Sequence, residues 1–87
     1  MFVSYHIEIT TEAVKQLRRV PQPDQRRIRV RIDTLAEDPR PAGATKLQGM
    51  DNAWRIRQGN YRIVYSIDDT ITVVTVTRIA QRGKVSR

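Results

Sequence analysis

The chain has 87 residues, no cysteine and a formal net charge of +7, from 16 Lys+Arg against 9 Asp+Glu. That length makes a single domain, residues 1–87, whose core buries roughly 60–65% of the unfolded surface without covalent staples. The missing cysteine excludes disulfides and thiolate metal sites and suits a reducing cytoplasm, while the charge points to nucleic acid or an acidic protein partner.

In chain order, Ser4 to Ile9 alternates, with Tyr5, Ile7 and Ile9 on one side and His6 and Glu8 on the other. That period of two predicts a short strand with one buried face. Thr10 and Thr11 are helix-capping residues, and Glu12 supplies negative charge to a first turn. Ala13, Val14, Leu17 and Val20 follow at helical spacing until Pro21 ends the helix. Pro23 and Asp24 start a second helix. Its apolar stripe is Ile28, Ile32, Leu35 and Ala36, and Asp38-Pro39 stops it. Arg26, Arg27, Arg29 and Arg31 cover the remaining surface and read first as a solvated face. A connection of about three residues predicts an antiparallel helical hairpin.

Pro39, Pro41 and Gly43 mark a loop. Ala44 to Gly49 is short, with some extended character, and turns at Gly49. From Ala53 to Ile67 apolar and polar residues alternate, break at Gln58-Gly59-Asn60, and alternate again. This predicts a β-hairpin. With Gly59 and Asn60 central in the turn, Gln58 pairs with Tyr61, Arg57 with Arg62, Ile56 with Ile63, Arg55 with Val64 and Trp54 with Tyr65. One face then carries Trp54, Ile56, Ile63 and Tyr65, and the other carries Arg55, Arg57 and Arg62. Two cations placed directly opposite cost stability, roughly 0.2–1 kcal/mol as a pair. A fold gains nothing from that placement, whereas a site for a polyanion does. Asp68-Asp69 marks the next turn, and the β-branched run Ile71 to Ile79 is the strongest strand in the chain. The tail from Ala80 to Arg87 contains three cations and no acid.

The expected fold is α+β, in the order β-α-α-β-β-β. An antiparallel helical hairpin packs on one face of a small, mostly antiparallel four-stranded sheet. The last three strands form a meander, and the first strand joins beside Ile71–Ile79. The expected core is Tyr5, Ile7, Ile9, Val14, Leu17, Ile28, Ile32, Leu35, Trp54, Ile56, Ile63, Tyr65, Val74 and Val76. The opposite face stays open and basic.

Little catalytic chemistry is available. The only histidine, His6, lies on the first strand, and no nucleophilic triad, metal-ligand spacing or Gly-rich phosphate loop is present. Met1 to His6 lacks the pattern of a signal peptide, and no apolar run approaches the ~18 residues of a membrane span. One reaction class stays open: RNA cleavage by its own 2′-hydroxyl, without a metal. Arginines on a rigid sheet can stabilise the phosphorane charge, but a guanidinium with a pKa above about 12 is a poor base.

Several stretches resemble the RelE/ParE superfamily of bacterial toxin–antitoxin toxins. They are Lys46-Leu47-Gln48-Gly49-Met50, Trp54-Arg55-Ile56-Arg57, Gly59-Asn60-Tyr61-Arg62-Ile63-Val64-Tyr65 and Ile79-Ala80-Gln81-Arg82-Gly83-Lys84-Val85. The Lys-Leu-x-Gly-Met stretch favours the RelE branch. The resemblance implies a metal-independent endoribonuclease that cleaves mRNA in the ribosomal A site and so inhibits translation. It implies a cognate antitoxin that blocks the basic surface, and operator DNA reached only through that antitoxin. No cofactor and no membrane partner is implied. Arg62 sits where RelE toxins carry the arginine of this strand, and Arg82 matches their arginine after the last strand. Arg55 and Arg57 stand where some members have lysines. These four are the candidate catalytic residues, and with Lys46 and Lys84 they are the candidate RNA-binding residues. Two family positions differ: Gln81 stands in place of a histidine and Ser86 in place of a late tyrosine. The other readings are a ParE-type gyrase inhibitor and a non-catalytic basic binding module.

Overall fold

The structure, a computed structural model, describes residues 4–81. Its elements are β1 (His6–Ile9), α1 (Thr11–Arg18), α2 (Gln22–Thr34), β2 (Thr45–Lys46), β3 (Ala53–Gln58), β4 (Tyr61–Asp68) and β5 (Val73–Gln81). Two helices pack on one face of a sheet ordered β1-β5-β4-β3-β2. β1 runs parallel to β5, and the other three pairings are antiparallel. The expected placement of β1 beside β5 holds.

The strand count is corrected from four to five. Thr45 pairs with Arg55 and Lys46 with Trp54, and Leu47 N–H donates to the Ala53 carbonyl at 2.8 Å. Two residues are too few to show an alternation, so tertiary pairing alone defines β2. β5 also begins later than the β-branched run. Asp68 Oδ1 accepts from the N–H groups of Thr70 and Ile71, and Thr72 takes φ +52°. The turn therefore consumes Ile71, which is left exposed.

Each helix owes its position to a few residues. Thr10 caps α1 by accepting from Ala13 N–H at 3.2 Å, with Glu12 in the first turn. α1 buries Ala13 and Leu17, one helical turn apart. α2 has Pro23 and Asp24 in its first turn and buries Ile28 and Ile32. Leu35 follows at its C-cap and is fully buried. Gln25 Nε2 donates to the Val20 carbonyl at 3.0 Å and ties the connection to α2.

The core cluster joins these residues to Val20, Ile56, Tyr61, Ile63, Tyr65, Ile67, Val74, Val76 and Ile79. Four expected core members, Tyr5, Ile7, Ile9 and Trp54, pack against it only partly buried, as their strands lie towards the two ends of the sheet. Val14 is also only half-buried, because Ala13 takes the inward position on α1.

Two further interactions lock the frame. Tyr65 Oη donates to the Pro39 carbonyl at 2.7 Å inside the core, pinning the α2–β2 connection to β4. At the surface, Arg40 grips both carboxylate oxygens of Asp69, at 3.3 and 2.7 Å. Tyr5 Oη donates to the same carboxylate at 2.6 Å, and the Arg40 guanidinium lies 5.5 Å from the centre of the Trp54 ring. Asp69 is held below its ordinary pKa by Arg40 and then by Tyr5.

β5 carries a bulge. Tyr65 pairs with Val76 but Val64 with Arg78, so Thr77 is the extra residue. Thr77 Oγ1 donates to the Val64 carbonyl at 3.3 Å, and Ile79 N–H donates to Gln16 Oε1 on α1 at 2.7 Å.

Two stability predictions follow from these contacts. Tyr65→Phe leaves the Pro39 carbonyl without its donor and is expected to cost about 1–2 kcal/mol, read as a lower denaturation midpoint. Burial pushes the Tyr65 phenol up to about 12. The folded state keeps that proton at pH values where the unfolded chain releases it. Stability is therefore intact below about pH 10 and is lost as pH rises towards 12. The phenylalanine variant should lose that share of the alkaline decline. Gln16→Leu removes the acceptor for Ile79 N–H and should cost about 1–2 kcal/mol. Gln16→Glu keeps an acceptor and should retain most of the stability in thermal unfolding.

Candidate nucleic-acid interface

The β3–β4 hairpin has the register its alternation predicts, from Trp54 opposite Tyr65 to Gln58 opposite Tyr61. Gly59 has φ +60° and Asn60 has no positive φ. That is the type II′ pattern, whose twist matches the flanking strands and whose first central position favours glycine. Ile56, Ile63 and Tyr65 are fully buried under the helices. Arg55, Arg57 and Arg62 alternate with them and so occupy the face that carries no helix.

On that face the strands form rows. Arg57, Arg62 and Ala80 make one row, and Arg55, Val64 and Arg78 make the next. The Cβ atoms of Arg57 and Arg62 are directly opposite, about 4.5–5.5 Å apart, and diagonal neighbours are about 7–8 Å apart. Among the described residues the ion pairs are His6–Glu8, Arg27–Asp24 and Arg40–Asp69. Among the described residues, none of Arg55, Arg57, Arg62 or Arg78 has a carboxylate partner. Arg62 is the most constrained, for its Nε is buried and has no hydrogen-bond partner. A buried, unsatisfied donor costs about 1–3 kcal/mol, and Trp54 Nε1 is in the same state.

The other sequence candidates are placed differently. Lys46 pairs with Trp54 and so takes the parity of the helix-bearing face, at the exposed sheet edge. Gln81 pairs with the buried Tyr61 and lines a small groove of about 290 Å³ with Gln16, Arg19 and Val20, on the parity opposite to Arg55, Arg57 and Arg62. Arg82, Lys84 and Ser86 lie outside the described residues. Arg78 was missed by the reading of the strands. Its signal is the spacing of the apolar positions: Val74 and Val76 are two apart, but the next inward residue is Ile79. That break of three marks the bulge and puts Arg78 on the open face.

No group of three or more histidine, cysteine, aspartate or glutamate side chains among the described residues is arranged to hold a metal ion. The arrangement is a cationic surface built on paired strands, with donors and, among the described residues, no adjacent base. It can bind an extended polyanion and stabilise negative charge at phosphorus.

Comparison with known proteins gives the same fold and a family. A family model described as "ParE toxin of type II toxin-antitoxin system, parDE" matches residues 7–85. The toxin RelE of Mycobacterium tuberculosis is 30% identical over 80 residues, covering 91% of this chain and 82% of that protein. The mRNA interferase toxin RelE of Escherichia coli is 28% identical over 84 residues, covering 94% and 87%. Among solved structures, the archaeal RelE–RelB complex from Pyrococcus horikoshii OT3 superposes with a TM-score of 0.83 at 29% identity, over 94% of this chain and 99% of that one. The intact E. coli RelBE toxin–antitoxin complex gives 0.80 at 25% identity, over 97% and 100%. Hairpin, helices and sheet order thus come together in a chain that belongs to the RelE/ParE superfamily of type II toxin–antitoxin toxins, on its RelE branch.

Proposed function

We propose that this toxin is a metal-independent mRNA interferase that acts in the ribosomal A site and uses the open face of β3, β4 and β5 to hold the scissile phosphate. The observation that carries the reading is Arg62, held on a central strand between Arg55, Arg57 and Arg78, with its Nε buried and unsatisfied. The E. coli relative bears the name mRNA interferase, which supports carrying the activity to this chain.

In the proposed step the 2′-hydroxyl oxygen attacks the adjacent phosphorus and the bond to the 5′-oxygen breaks. A 2′,3′-cyclic phosphate and a 5′-hydroxyl result. One proton leaves the 2′-oxygen and one joins the 5′-oxygen. Arg62 and its neighbours offset the charge that accumulates on the phosphorane oxygens. In this step they stabilise charge and do not carry the two protons. With Gln81 facing the helix side, the described residues supply no base beside Arg62, so proton transfer falls to the mRNA and ribosome groups that complete the site. Arg82 and Lys84 are further candidate RNA contacts in this reading, and Lys46 meets RNA at the sheet edge.

A cognate antitoxin is the second partner, as in the RelE–RelB complexes that share this fold. A partly disordered acidic or amphipathic chain that folds on contact matches the open basic face. Operator DNA is reached only through it. The site of action is the cytoplasm, where ribosomes translate.

The test is induction in a growing culture with primer extension on a reporter mRNA. Wild type is expected to arrest growth and to cut ribosome-bound mRNA at codon positions. Arg62→Ala should lose roughly 100- to 1000-fold in cleavage, in line with removal of one preorganised donor, about 2.7–4 kcal/mol. Intact mRNA in arrested wild-type cells would sink the proposal. In that case inhibition of gyrase in a supercoiling assay would support the ParE-type reading. Binding to the antitoxin should weaken as salt rises from about 50 to 200 mM, because exposed charges are screened, and a salt-insensitive complex would argue against contact through the arginine face.

A further inference from the structure

The bulge in β5 has a consequence for the charged face. From Val74 and Val76, both fully buried, simple alternation would carry residue 78 into the core. An unpaired guanidinium there would cost several kcal/mol. Thr77 absorbs one residue instead, so Val64 pairs with Arg78 and Ile63 with Ile79. Ile79 turns inward and Arg78 outward. The change of parity is braced on both sides, by Thr77 Oγ1 on the Val64 carbonyl at 3.3 Å and by Gln16 Oε1 on Ile79 N–H at 2.7 Å. Bulges beside active sites commonly re-aim a side chain in this way.

Burying Ile79 needs the bulge, but it does not need an arginine at 78, where any polar residue would satisfy the fold. Arg78 is exposed and has no carboxylate within ion-pair distance among the described residues. It flanks Val64 on one side as Arg55 does on the other, about 10 Å away across two strand spacings. It is also diagonal to Arg62, about 7–8 Å between Cβ atoms. Three guanidinium groups therefore surround one half-buried valine, and Arg57 lies beyond Arg62.

We infer that Arg78 is a further phosphate-binding residue of the RNA site, set on the open face by the Thr77 bulge, and that it extends the arginine surface from the hairpin onto β5. It holds the RNA backbone beside the scissile phosphate gripped by Arg62. The inference rests on the reading of this face as an RNA site.

The test measures binding of a short, labelled 2′-O-methyl RNA of mixed sequence. That strand cannot undergo 2′-hydroxyl attack, so binding is read apart from cleavage. Affinity is followed over about 50–200 mM salt for wild type, Arg78→Ala, Arg78→Lys, Arg62→Ala and the helix-side control Arg29→Ala. Thermal unfolding checks that each variant folds. Arg78→Ala is expected to lose roughly tenfold in affinity, as for a charge-assisted contact. Its salt slope should fall by about 0.7, one phosphate on a single strand. Arg78→Lys should keep the slope, because a point charge still pairs with phosphate. If Arg78→Ala matches Arg29→Ala while Arg62→Ala is weakened, the inference is overturned and the RNA-site reading stands. If Arg62→Ala and Arg78→Ala both match Arg29→Ala, the RNA-site reading fails and takes the inference with it.

Discussion

The pairing of Ile56 with Ile63 and of Trp54 with Tyr65 holds the register on which the open face depends. Side chains alternate with period two, so a slip of one residue would exchange the faces. Arg55, Arg57 and Arg62 would then enter a core whose walls are Ile28, Ile32, Leu35 and Val76. No ligand is needed to position these arginines, because the hydrophobic burial of their neighbours does it. The type II′ turn at Gly59 removes the remaining freedom by fixing where the two strands start to pair. The resulting like-charge pair, Arg57 opposite Arg62, costs a fraction of a kcal/mol to about one. Each buried isoleucine contributes roughly 1.5–3 kcal/mol before entropy, so the core outweighs the repulsion and the face keeps its charge.

The carboxylates near the sheet are spent elsewhere. Asp68 accepts from the turn amides of Thr70 and Ile71. Asp69 is gripped by Arg40 and Tyr5. Asp24 meets Arg27 within its own helix, and Glu8 meets His6 on β1. The acids thus serve turns, a helix start and one corner of the frame, while the cations of β3, β4 and β5 remain uncompensated. Segregation of this kind gives a surface potential that net charge alone does not imply. A chain with the same +7 and its acids placed between the arginines would present no site.

The sequence made the hairpin legible because two signals agreed: an uninterrupted alternation and a turn dipeptide at its centre. The placement of β1 beside β5 was legible, since a meander of the last three strands leaves the last one with a free edge for β1 to join. β2 was not legible, because Thr45 and Lys46 become a strand only when β3 is there to pair with them. On α1 the spacing fitted both Ala13 and Val14, and nothing local says which of two adjacent apolar residues faces the sheet. The bulge was written in the sequence as Val74, Val76, then Ile79, but a run that is β-branched throughout hides a shift of phase. Missing that shift meant missing Arg78. On the site itself, the alternation put Arg55, Arg57 and Arg62 on one shared face, while the two-residue β2 gave no signal for the parity of Lys46 at the sheet edge.

The same arrangement limits what this face does unaided. Donors fixed on adjacent strands need no reorganisation when charge develops on a phosphate, and this is where electrostatic catalysis is strongest. Proton transfer has the opposite requirement, a group whose pKa lies near the working pH. Arginine lies far above it, Tyr65 is pushed up to about 12 in the core, and His6 sits on β1 beside Glu8 rather than beside Arg62. Among the described residues, strong charge stabilisation stands without a base beside Arg62, and the proposed reading leaves proton movement to the substrate complex. On the proposed reading, such a surface binds RNA through its cations and awaits a larger assembly to align the 2′-hydroxyl. In the activity proposed above, dependence on the ribosome would rest on this division: the protein contributes the cations, and the assembly contributes alignment and acid–base chemistry.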